Sequence, residues 1–373
     1  MNESDYIIWL MSFEAPELAE LLKHASAEEV FHNPELARQH GFNLMADKLA
    51  KHAKSNDFKR LLSNVHGAMD KFDIKFVSIV DKAYPERLKR LHTPPLGLFY
   101  RGREPSLPLT RPAVSIIGTR HPSTYGHRQS FDIAARLAEL SIPIISGMAL
   151  GCDAQVGRGA LSVGGHAVAV LGNGVDICYP RENAGLYDEL AQRGTIMSEY
   201  LPMTKPDKWR FPARNRIIAA LADALLVTEA NERSGTLITA NHALDIGIEV
   251  FALPGNIDMA KSRGCNRLIR DGAHILTSYV DIVYHLQFMP RLSSFFSGKG
   301  GAYTENDDKF LKLPLDKDEQ MVYSCVCMGE FTIDEVLYKT GLDISIINKS
   351  LLNLELKGMV RRRPGAKYIA IIS

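Results

Sequence analysis

The chain has 373 residues, of which 46% are hydrophobic and 23% charged. This composition is typical of a globular protein with two or three domains. No apolar run approaches the roughly 18 residues of a membrane span, and the first residues lack the basic stretch that begins a signal peptide. The formal net charge is only +1, so any nucleic-acid site must be a local basic patch. We expect a cytoplasmic protein.

The cysteines argue against both a disulfide framework and a zinc site, because their number is odd and no C-x-x-C pair occurs. They are Cys152, Cys178, Cys265, Cys325 and Cys327. Buried thiols in a reducing compartment are the simpler interpretation. We therefore expect no bound metal.

Residues 1–70 predict a small helical domain, because apolar residues such as Leu18, Leu21 and Leu22 recur at helical spacing without strand-like alternation. From Ile74 to Tyr100 the pattern becomes irregular and proline-marked, which is typical of a connector.

Residues 71–290 predict an α/β domain in which six apolar segments alternate with helical stretches. The segments are 113–118, 142–146, 167–171, 195–198, 224–229 and 249–253, and the helical stretches include 125–140 and 181–193. The segments are continuously apolar, which predicts strands buried on both faces of a mostly parallel sheet covered by helices.

Residues 315–373 predict a winged helix behind a linker of residues 291–314, which is rich in Ser, Gly, Pro and charge. Thr332 begins a helix with capping-box spacing. An amphipathic helix follows over residues 345–357, and residues 361–371 (RRRPGAKYIAI) suit two strands around a Pro-Gly turn.

Four turns that contain glycine follow the predicted strands, where ligands bind in parallel α/β sheets. They are Gly118-Thr119-Arg120, residues 146–151 (SGMALG), Gly172-Asn173-Gly174 and Arg233-Ser234-Gly235-Thr236. Glycine lets backbone N–H groups approach an anion, and the dipole of the following helix favours negative charge. Strand-to-helix turns need glycine in any case, but four at one sheet edge favour anion binding, and the Arg120 guanidinium could hold a phosphate.

Residues 201–220 carry five cations against one acid, Asp207. Within them, residues 208–216 (KWRFPARNR) interleave cations with Trp209 and Phe211. Single-stranded nucleic acids require this combination, because aromatic rings stack bases while cations hold the backbone. The alternative is that both aromatics are core residues and the arginines are paired within the protein.

Signals for an enzyme are weak. The sequence lacks a G-x-G-x-x-G fingerprint and a Walker A motif, so we expect no nucleotide cofactor. It also lacks G-x-S-x-G, H-E-x-x-H and a closely spaced carboxylate pair. Asp153, Asp176, Glu199 and Glu229 fall near strand ends, where each could be catalytic but is equally suited to an ion pair or a helix N-cap.

Seven stretches between residues 118 and 276 resemble the DprA/Smf family of DNA-processing proteins. They are GTR (118–120), SGMALGCDAQVGRGAL (146–161), AVLGNGVDICYPREN (169–183), SEYLP (198–202), FPARNRIIAALADALLVTEA (211–230), SGTLITANHALDIGIEVFALPGN (234–256) and GCNRLIRDGAHIL (264–276). Gln155 departs from the family pattern, which usually has histidine there, so we assign no site to it.

The resemblance implies an extended Rossmann-like fold with a small SAM-like helical domain before it and a winged helix after it. It also implies a non-catalytic protein that binds single-stranded DNA and forms a homodimer. Such proteins protect incoming DNA during natural transformation of competent cells. They also load the RecA recombinase onto that DNA for recombination.

The resemblance further implies which residues contact DNA. The family's phosphate-gripping arginine falls on Arg120, and its lysine and aromatic fall on Lys208 and Phe211. The complete expected set is Gly118, Arg120, Ser146, Gly147, Gly151, Arg181, Lys208, Phe211, Arg214 and Asn215.

Two other functions remain open at this point. The first is a nucleotide phosphoribohydrolase of the lysine-decarboxylase-like type, whose motif P-G-G-x-G-T-x-x-E ends in a glutamate. Thr239 stands at that position here, and a threonine cannot act as a carboxylate base at neutral pH. The second is a regulator that reads duplex DNA through helix 345–357, which offers few base-reading side chains: Asn348, Lys349 and Asn353.

Overall fold

The computed structural model describes residues 1–373 except 16, 56, 108, 298–316, 327–328, 330, 357–359, 364–366 and 371–373. The chain divides into two compact units, Met1–Ala302 and Tyr303–Ser373. Each unit is described by itself.

Helices open the first unit, as the leucine spacing predicts. They are α1 (Glu3–Met11), α2 (Leu18–Leu21), α3 (Ala27–His32), α4 (Glu35–Gln39), α5 (Asn43–Ala53) and α6 (Asp57–Phe72). Their core is aromatic: Trp9 is fully buried and its ring packs edge-on against Phe31 and Phe58, at centroid distances of 4.9 and 6.2 Å. The prediction of helices in this region is confirmed.

One sheet forms the centre of the first unit. Its strands are β1 (Lys75–Ser78), β2 (Gly97–Gly102), β3 (Val114–Ile117), β4 (Ile144–Ser146), β5 (Ala167–Val170), β6 (Thr195–Ser198), β7 (Ala224–Val227), β8 (Glu249–Ala252) and β9 (His274–Ile275). Their spatial order is β1-β2-β6-β5-β4-β3-β7-β8-β9. Neighbours from β6 to β9 are parallel, whereas β2 pairs antiparallel with both β1 and β6. The predicted mostly parallel sheet is confirmed.

Helices connect the strands and continue beyond the last one. They are α7 (Thr124–Glu139), α8 (Cys152–Ser162), α9 (Ala184–Arg193), α10 (Arg210–Ala220), α11 (Gly235–Asp245), α12 (Arg263–Arg270), α13 (Tyr279–Gln287) and α14 (Ser293–Ser297). Short 3₁₀ turns occupy Glu86–Arg90, Arg181–Asn183 and Pro290–Leu292. Every residue of β3 to β7 is buried, as the continuously apolar segments predict for strands covered on both faces.

The segment from Ile74 to Tyr100, expected to be an irregular connector, contains two strands instead. Lys75 pairs with Tyr100 and Ser78 with Gly97, so β1 and β2 form an antiparallel ribbon at the sheet edge. The ribbon is anchored through the turn between its strands, where Arg87 is fully buried and forms a 2.8 Å ion pair with Asp223.

The first residues of the expected linker also have structure. Arg291 forms a 2.7 Å ion pair with the buried carboxylate of Asp223, and α14 follows directly. The rest of that segment, residues 298–314, lies outside the described residues.

The strand order creates a topological switch point. From β3 the chain moves outward through β4 and β5 to β6, and β7, β8 and β9 then extend the sheet on the other side of β3. The connections that leave β3 and β7 therefore run in opposite directions. Such a divergence opens a crevice at the carboxyl end of the sheet, where α/β proteins bind their ligands.

The second unit has the predicted winged-helix order. Its elements are α15 (Lys317–Val326), β10 (Phe331–Thr332), α16 (Ile333–Thr340), α17 (Ile344–Leu356), β11 (Val360–Arg363) and β12 (Lys367–Ala370). The three strands form an antiparallel sheet in the order β10-β12-β11. The capping box exists, since Glu335 Oε2 accepts from the Thr332 N–H at 2.7 Å. The Pro-Gly turn lies outside the described residues.

Within the described ranges, no helix combines the length and the apolar character needed to cross a bilayer.

Candidate nucleic-acid interface

A cleft of about 550 Å³ opens at the switch point between β3 and β7. The loop after β3, the loop after β7 and the first turns of α10 and α11 line it. Its volume is within the roughly 300–1,000 Å³ of typical ligand sites. The crevice that the strand order requires is therefore present and open.

Two glycines allow the loops after β3 and β4 to pack backbone against backbone. Gly151 has φ +79°, and a methyl group built on it would lie 2.5 Å from the carbonyl oxygens of Thr119 and Arg120. A methyl group built on Gly118 would lie 2.5 Å from Cys152 Sγ. The Cys152 N–H donates to the Thr119 carbonyl at 3.1 Å. This close packing places Arg120 at the cleft rim.

An aromatic platform lies on the same rim. The Phe211 ring, in the first turn of α10, stacks on the Tyr179 ring at a centroid distance of 5.4 Å and an interplanar angle of 29°. The Arg120 guanidinium carbon lies 5.8 Å from the Phe211 ring centre. Gly172 leaves room for the ring, because a methyl group built there would come within 2.9 Å of Phe211. Tyr179 is 41% exposed, so part of the platform faces solvent.

Four of the five cations in residues 201–220 divide into two groups. Arg210 forms an ion pair with Glu14 at 2.7 Å, and Arg216 forms one with Glu199 at 2.6 Å. For these two arginines the alternative of pairing within the protein is correct. Lys205 and Lys208 are both exposed and form no ion pair in the part of the chain that the structure describes.

Arg214 is buried beneath the cleft, with 4% of its surface exposed. Its Nη1 donates to the carbonyls of Val170 and, at 3.0 Å, Gly147, and its Nε donates to Asn215 Oδ1 at 3.2 Å. Burial lowers the pKa of Arg214 to about 10, which still leaves it charged at neutral pH. These contacts suit a support for the cleft floor better than a direct contact with DNA.

The Asp153 carboxylate contacts the loop after β4, which Arg214 also contacts through the Gly147 carbonyl. Its Oδ2 accepts from the N–H groups of Gly147 at 3.2 Å and Ala149 at 3.4 Å. Burial raises the pKa of Asp153, while the nearby Arg214 charge opposes that rise. The two buried charges therefore fix the loop after β4 from both sides.

The ten residues expected at the DNA separate into two sets. Those that line the cleft are Gly118, Arg120, Lys208, Phe211, Arg214 and Asn215. Those that lie outside its lining are Ser146, Gly147, Gly151 and Arg181.

The residues outside the lining have different environments. Ser146 Oγ donates to the Ile116 carbonyl at 2.7 Å, and the Gly147 N–H is occupied by Asp153. The Gly151 N–H, at the start of α8, has no acceptor among the described residues. Arg181 is exposed in its 3₁₀ turn.

Several cleft-lining residues lie outside the expected set. Tyr179 completes the platform, and Asn231 and Arg233 line the cleft from the loop after β7. Arg233 belongs to one of the four glycine turns that favour anion binding, although the resemblance does not assign it to the DNA. Position after a strand could also have identified Asn231, whereas Tyr179 lies far from the end of β5 along the chain.

Each of the four carboxylates near strand ends has a partner within the fold. Asp153 accepts from Gly147, Glu229 from Ser123 Oγ at 2.6 Å, Asp176 from the Met203 N–H at 2.8 Å and Glu199 from Arg216. Glu229 thereby holds the residue that caps α7. Among the described residues, no cluster of three or more His, Cys, Asp or Glu side chains could hold a metal ion.

Comparison with known families identifies both units. The model of DNA recombination-mediator protein A matches residues 75–287, and the model of the DprA winged helix domain matches residues 309–366. The chain belongs to the DprA/Smf family. The predicted resemblance is thereby confirmed.

Members of the DprA/Smf family match over much of the chain. Protein Smf of Synechocystis is 34% identical over 316 residues, which cover 79% of each chain. DNA processing protein DprA of Streptococcus pneumoniae is 40% identical over 211 residues, which cover 57% of this chain and 74% of that protein.

Two solved DprA structures share the fold. The structure from Streptococcus pneumoniae has a TM-score of 0.55 at 36% identity and covers 63% of this chain and 84% of that one. The structure of DprA from Helicobacter pylori, reported for its single-stranded DNA binding mode, has a TM-score of 0.51 at 30% identity. It covers 57% of this chain and 95% of that one.

Proposed function

We propose that this protein is a cytoplasmic, non-catalytic single-stranded-DNA-binding protein that holds an unpaired strand in the cleft between β3 and β7. One observation carries the proposal. The stacked rings of Phe211 and Tyr179 share a rim with Arg120 and Lys208, which combines a stacking surface with exposed positive charge. Proteins that bind unpaired strands use this combination.

The arrangement favours an unpaired strand over a duplex. A base can stack on the Phe211 and Tyr179 platform only when its face is open, and duplex bases are already stacked on their neighbours. Arg120 and Lys208 would hold the backbone beside the stacked base. The DprA structure from Helicobacter pylori, reported for its single-stranded DNA binding mode, supports the same substrate class.

A competition titration tests this preference. A fluorescein-labelled single strand bound to the protein should be displaced by an unlabelled single strand, and the duplex of the same sequence and length should displace it far less. Equal displacement by the two competitors would exclude the proposed preference.

The absence of catalysis is part of the proposal. The four candidate carboxylates are occupied by partners within the fold, and Thr239, which lines the cleft, is 2% exposed and carries no carboxylate. A hydroxyl at that position cannot replace the glutamate base of a nucleotide phosphoribohydrolase. Incubation with nucleoside monophosphates should release no free base, and release of base would contradict the proposal.

Family membership supports a role in natural transformation. We propose that the protein protects incoming single strands, loads the RecA recombinase onto them and acts as a homodimer. Light scattering of the purified protein should give twice the mass of one chain. RecA filament formation on a single strand should start faster in its presence, and an unchanged lag would contradict the loading role.

The winged helix is better suited to an accessory contact than to reading duplex DNA. Asn353, one of three base-reading candidates on α17, instead donates to Glu319 Oε1 at 3.0 Å and is thereby held toward α15. Of the three candidates, only Asn348 and Lys349 are exposed. Because an accessory contact does not involve reading duplex bases, replacing both residues with alanine should leave duplex affinity unchanged.

A further inference from the structure

A second cavity, of about 220 Å³, lies beside the cleft in the first unit. Its walls come from four parts of the chain: the end of α1 with the residues after it, the segment before β2, the connection after β6 and the start of α10. The residues that matter here are Met11, Glu14, Tyr200, Trp209, Ala213 and Arg216. The volume is below the roughly 300 Å³ at which drug-sized sites begin, so the cavity suits a single flat ring system.

The cavity and the cleft occupy adjacent faces of the same helix start. Positions 208, 211, 212, 214, 215 and 218 line the cleft, whereas positions 209, 213 and 216 line the cavity. Each of the three cavity positions directly follows a cleft position, and consecutive helical residues are separated by about 100° of rotation. The Cα atoms of Lys208 and Trp209 are about 3.8 Å apart. The cleft and the cavity therefore adjoin at the start of α10, where Lys208 lines one and Trp209 lines the other.

The cavity mouth offers one aromatic face on which a nucleobase could stack, that of Trp209, with the Tyr200 ring edge-on to it. Trp209 is 50% exposed at the mouth, and the Tyr200 ring stands at 89° to it with a centroid distance of 6.2 Å. Arg210 lies over both rings, at 4.8 Å from Trp209 and 5.3 Å from Tyr200. The Glu14 carboxylate holds that guanidinium at 2.7 Å. The aromatic surface is thus fixed in place and still open to solvent.

A buried ion pair also lines the cavity. The Glu199 carboxylate and the Arg216 guanidinium form two hydrogen bonds, both of 2.6 Å, and their side chains are only 13% and 12% exposed. Arg216 also donates to the carbonyls of Thr93 and Ala213, so its donors are largely used within the fold. The Glu199 oxygens keep acceptor capacity beyond the ion pair and could accept from an N–H group at the edge of a base.

We propose that this cavity receives one unstacked base of the DNA strand bound in the cleft, with Trp209 as the stacking surface. The inference rests on the proposed function and extends it. Met11, at the end of α1, and Glu14, shortly after it, line the cavity, so the N-terminal region would contribute to the DNA site. A stacked base would also explain why Trp209 is exposed, whereas the alternative interpretation of the sequence made Trp209 a core residue.

Tryptophan fluorescence tests the inference directly. The chain has two tryptophans, and Trp9 is fully buried among the N-terminal helices. Oligothymidylate should quench the emission of the wild-type protein, and the Trp209→Phe variant, which retains only Trp9, should show no quenching. Anisotropy of the same labelled oligonucleotide reports binding in the same samples. Binding without quenching would overturn the base pocket and leave the proposed function intact, whereas no binding at all would overturn both.

Filling the cavity provides an independent test. Ala213→Leu adds a branched side chain at the cavity wall without changing any charge, and should weaken binding roughly 5- to 100-fold, the loss of one stacked base. The slope of affinity against salt should stay unchanged because no phosphate contact is removed. Ala184→Leu, at an exposed position on α9, is the matched control. Wild-type affinity in Ala213→Leu would contradict the inference.

Discussion

The Arg120 guanidinium carbon lies 5.8 Å from the centre of the Phe211 ring. The two residues come from different strand-to-helix connections, the loop after β3 and the first turn of α10. Their proximity places a cation beside an aromatic ring at one point of the cleft rim. A strand whose base lies on Phe211 would carry its adjacent phosphate past Arg120.

Phe211→Ala should weaken single-strand binding by about 1–3 kcal/mol, because one base loses its stacking surface. Phe211→Tyr retains a ring and should keep most of the affinity. Anisotropy titrations at fixed salt measure both variants. Equal affinity of the alanine variant and the wild type would remove Phe211 from the site.

Arg120→Ala and Lys208→Ala should each flatten the dependence of log K on log salt by about 0.7, the value for one lost phosphate contact on a single strand. Lys205→Ala is the matched control, because Lys205 is exposed in the same basic run but does not line the cleft. Titrations across a salt series give the slopes. Slopes that stay at the wild-type value in both test variants would exclude these phosphate contacts.

Arg214→Met should lower the free energy of unfolding by about 1–3 kcal/mol or more, because the buried carbonyls of Gly147 and Val170 would lose their donor. Arg210→Met is the control: its ion pair with Glu14 is partly exposed and should cost about 1 kcal/mol or less. Urea unfolding measures both. A stable Arg214→Met protein with impaired DNA binding would instead assign Arg214 to direct contact.

His166 should make the protein less stable in mild acid. Burial is the main cause that lowers its pKa to about 4, and the Arg103 charge adds to it. The unfolded chain takes up a proton near pH 6.5, so the contribution is fully present above that value and is lost as the pH falls toward the folded pKa. From about pH 7.5 to about pH 5 the loss is about 2 kcal/mol.

The variant His166→Gln isolates this effect in urea unfolding at the two pH values. Its stability should fall less than that of the wild type over the same interval, while His121→Gln, at an exposed position, should behave as the wild type does. Identical pH dependence of the wild type and His166→Gln would contradict the assignment.

The central strands could be predicted from the sequence because burial on both faces leaves a continuously apolar run, as in Val114–Ile117 and Ala224–Val227. The ribbon of β1 and β2 could not. Strand β1 has only four residues and lies at the sheet edge, while β2 depends on pairing with β1 and β6, and the turn between them depends on the buried ion pair of Arg87 with Asp223. Such distant partners leave no local signal.

The candidate site likewise has features that the sequence indicates and features that it does not. Glycine turns and the cation run pointed to the edge of the sheet at which the cleft opens. Composition could not separate Lys208, which is unpaired within the described residues, from Arg210, which is held by Glu14. It also could not identify the Tyr179 ring beneath Phe211, because only the fold brings the connection after β5 to the start of α10.

The most direct measurement is the anisotropy of one labelled oligonucleotide, as single strand and as duplex, between roughly 50 and 200 mM salt. A cleft built for an unpaired strand predicts tight binding of the single strand, a steep loss of affinity with salt, and much weaker binding of the duplex at every salt concentration. Equal affinity for both forms, or no binding at the lowest salt, would contradict it.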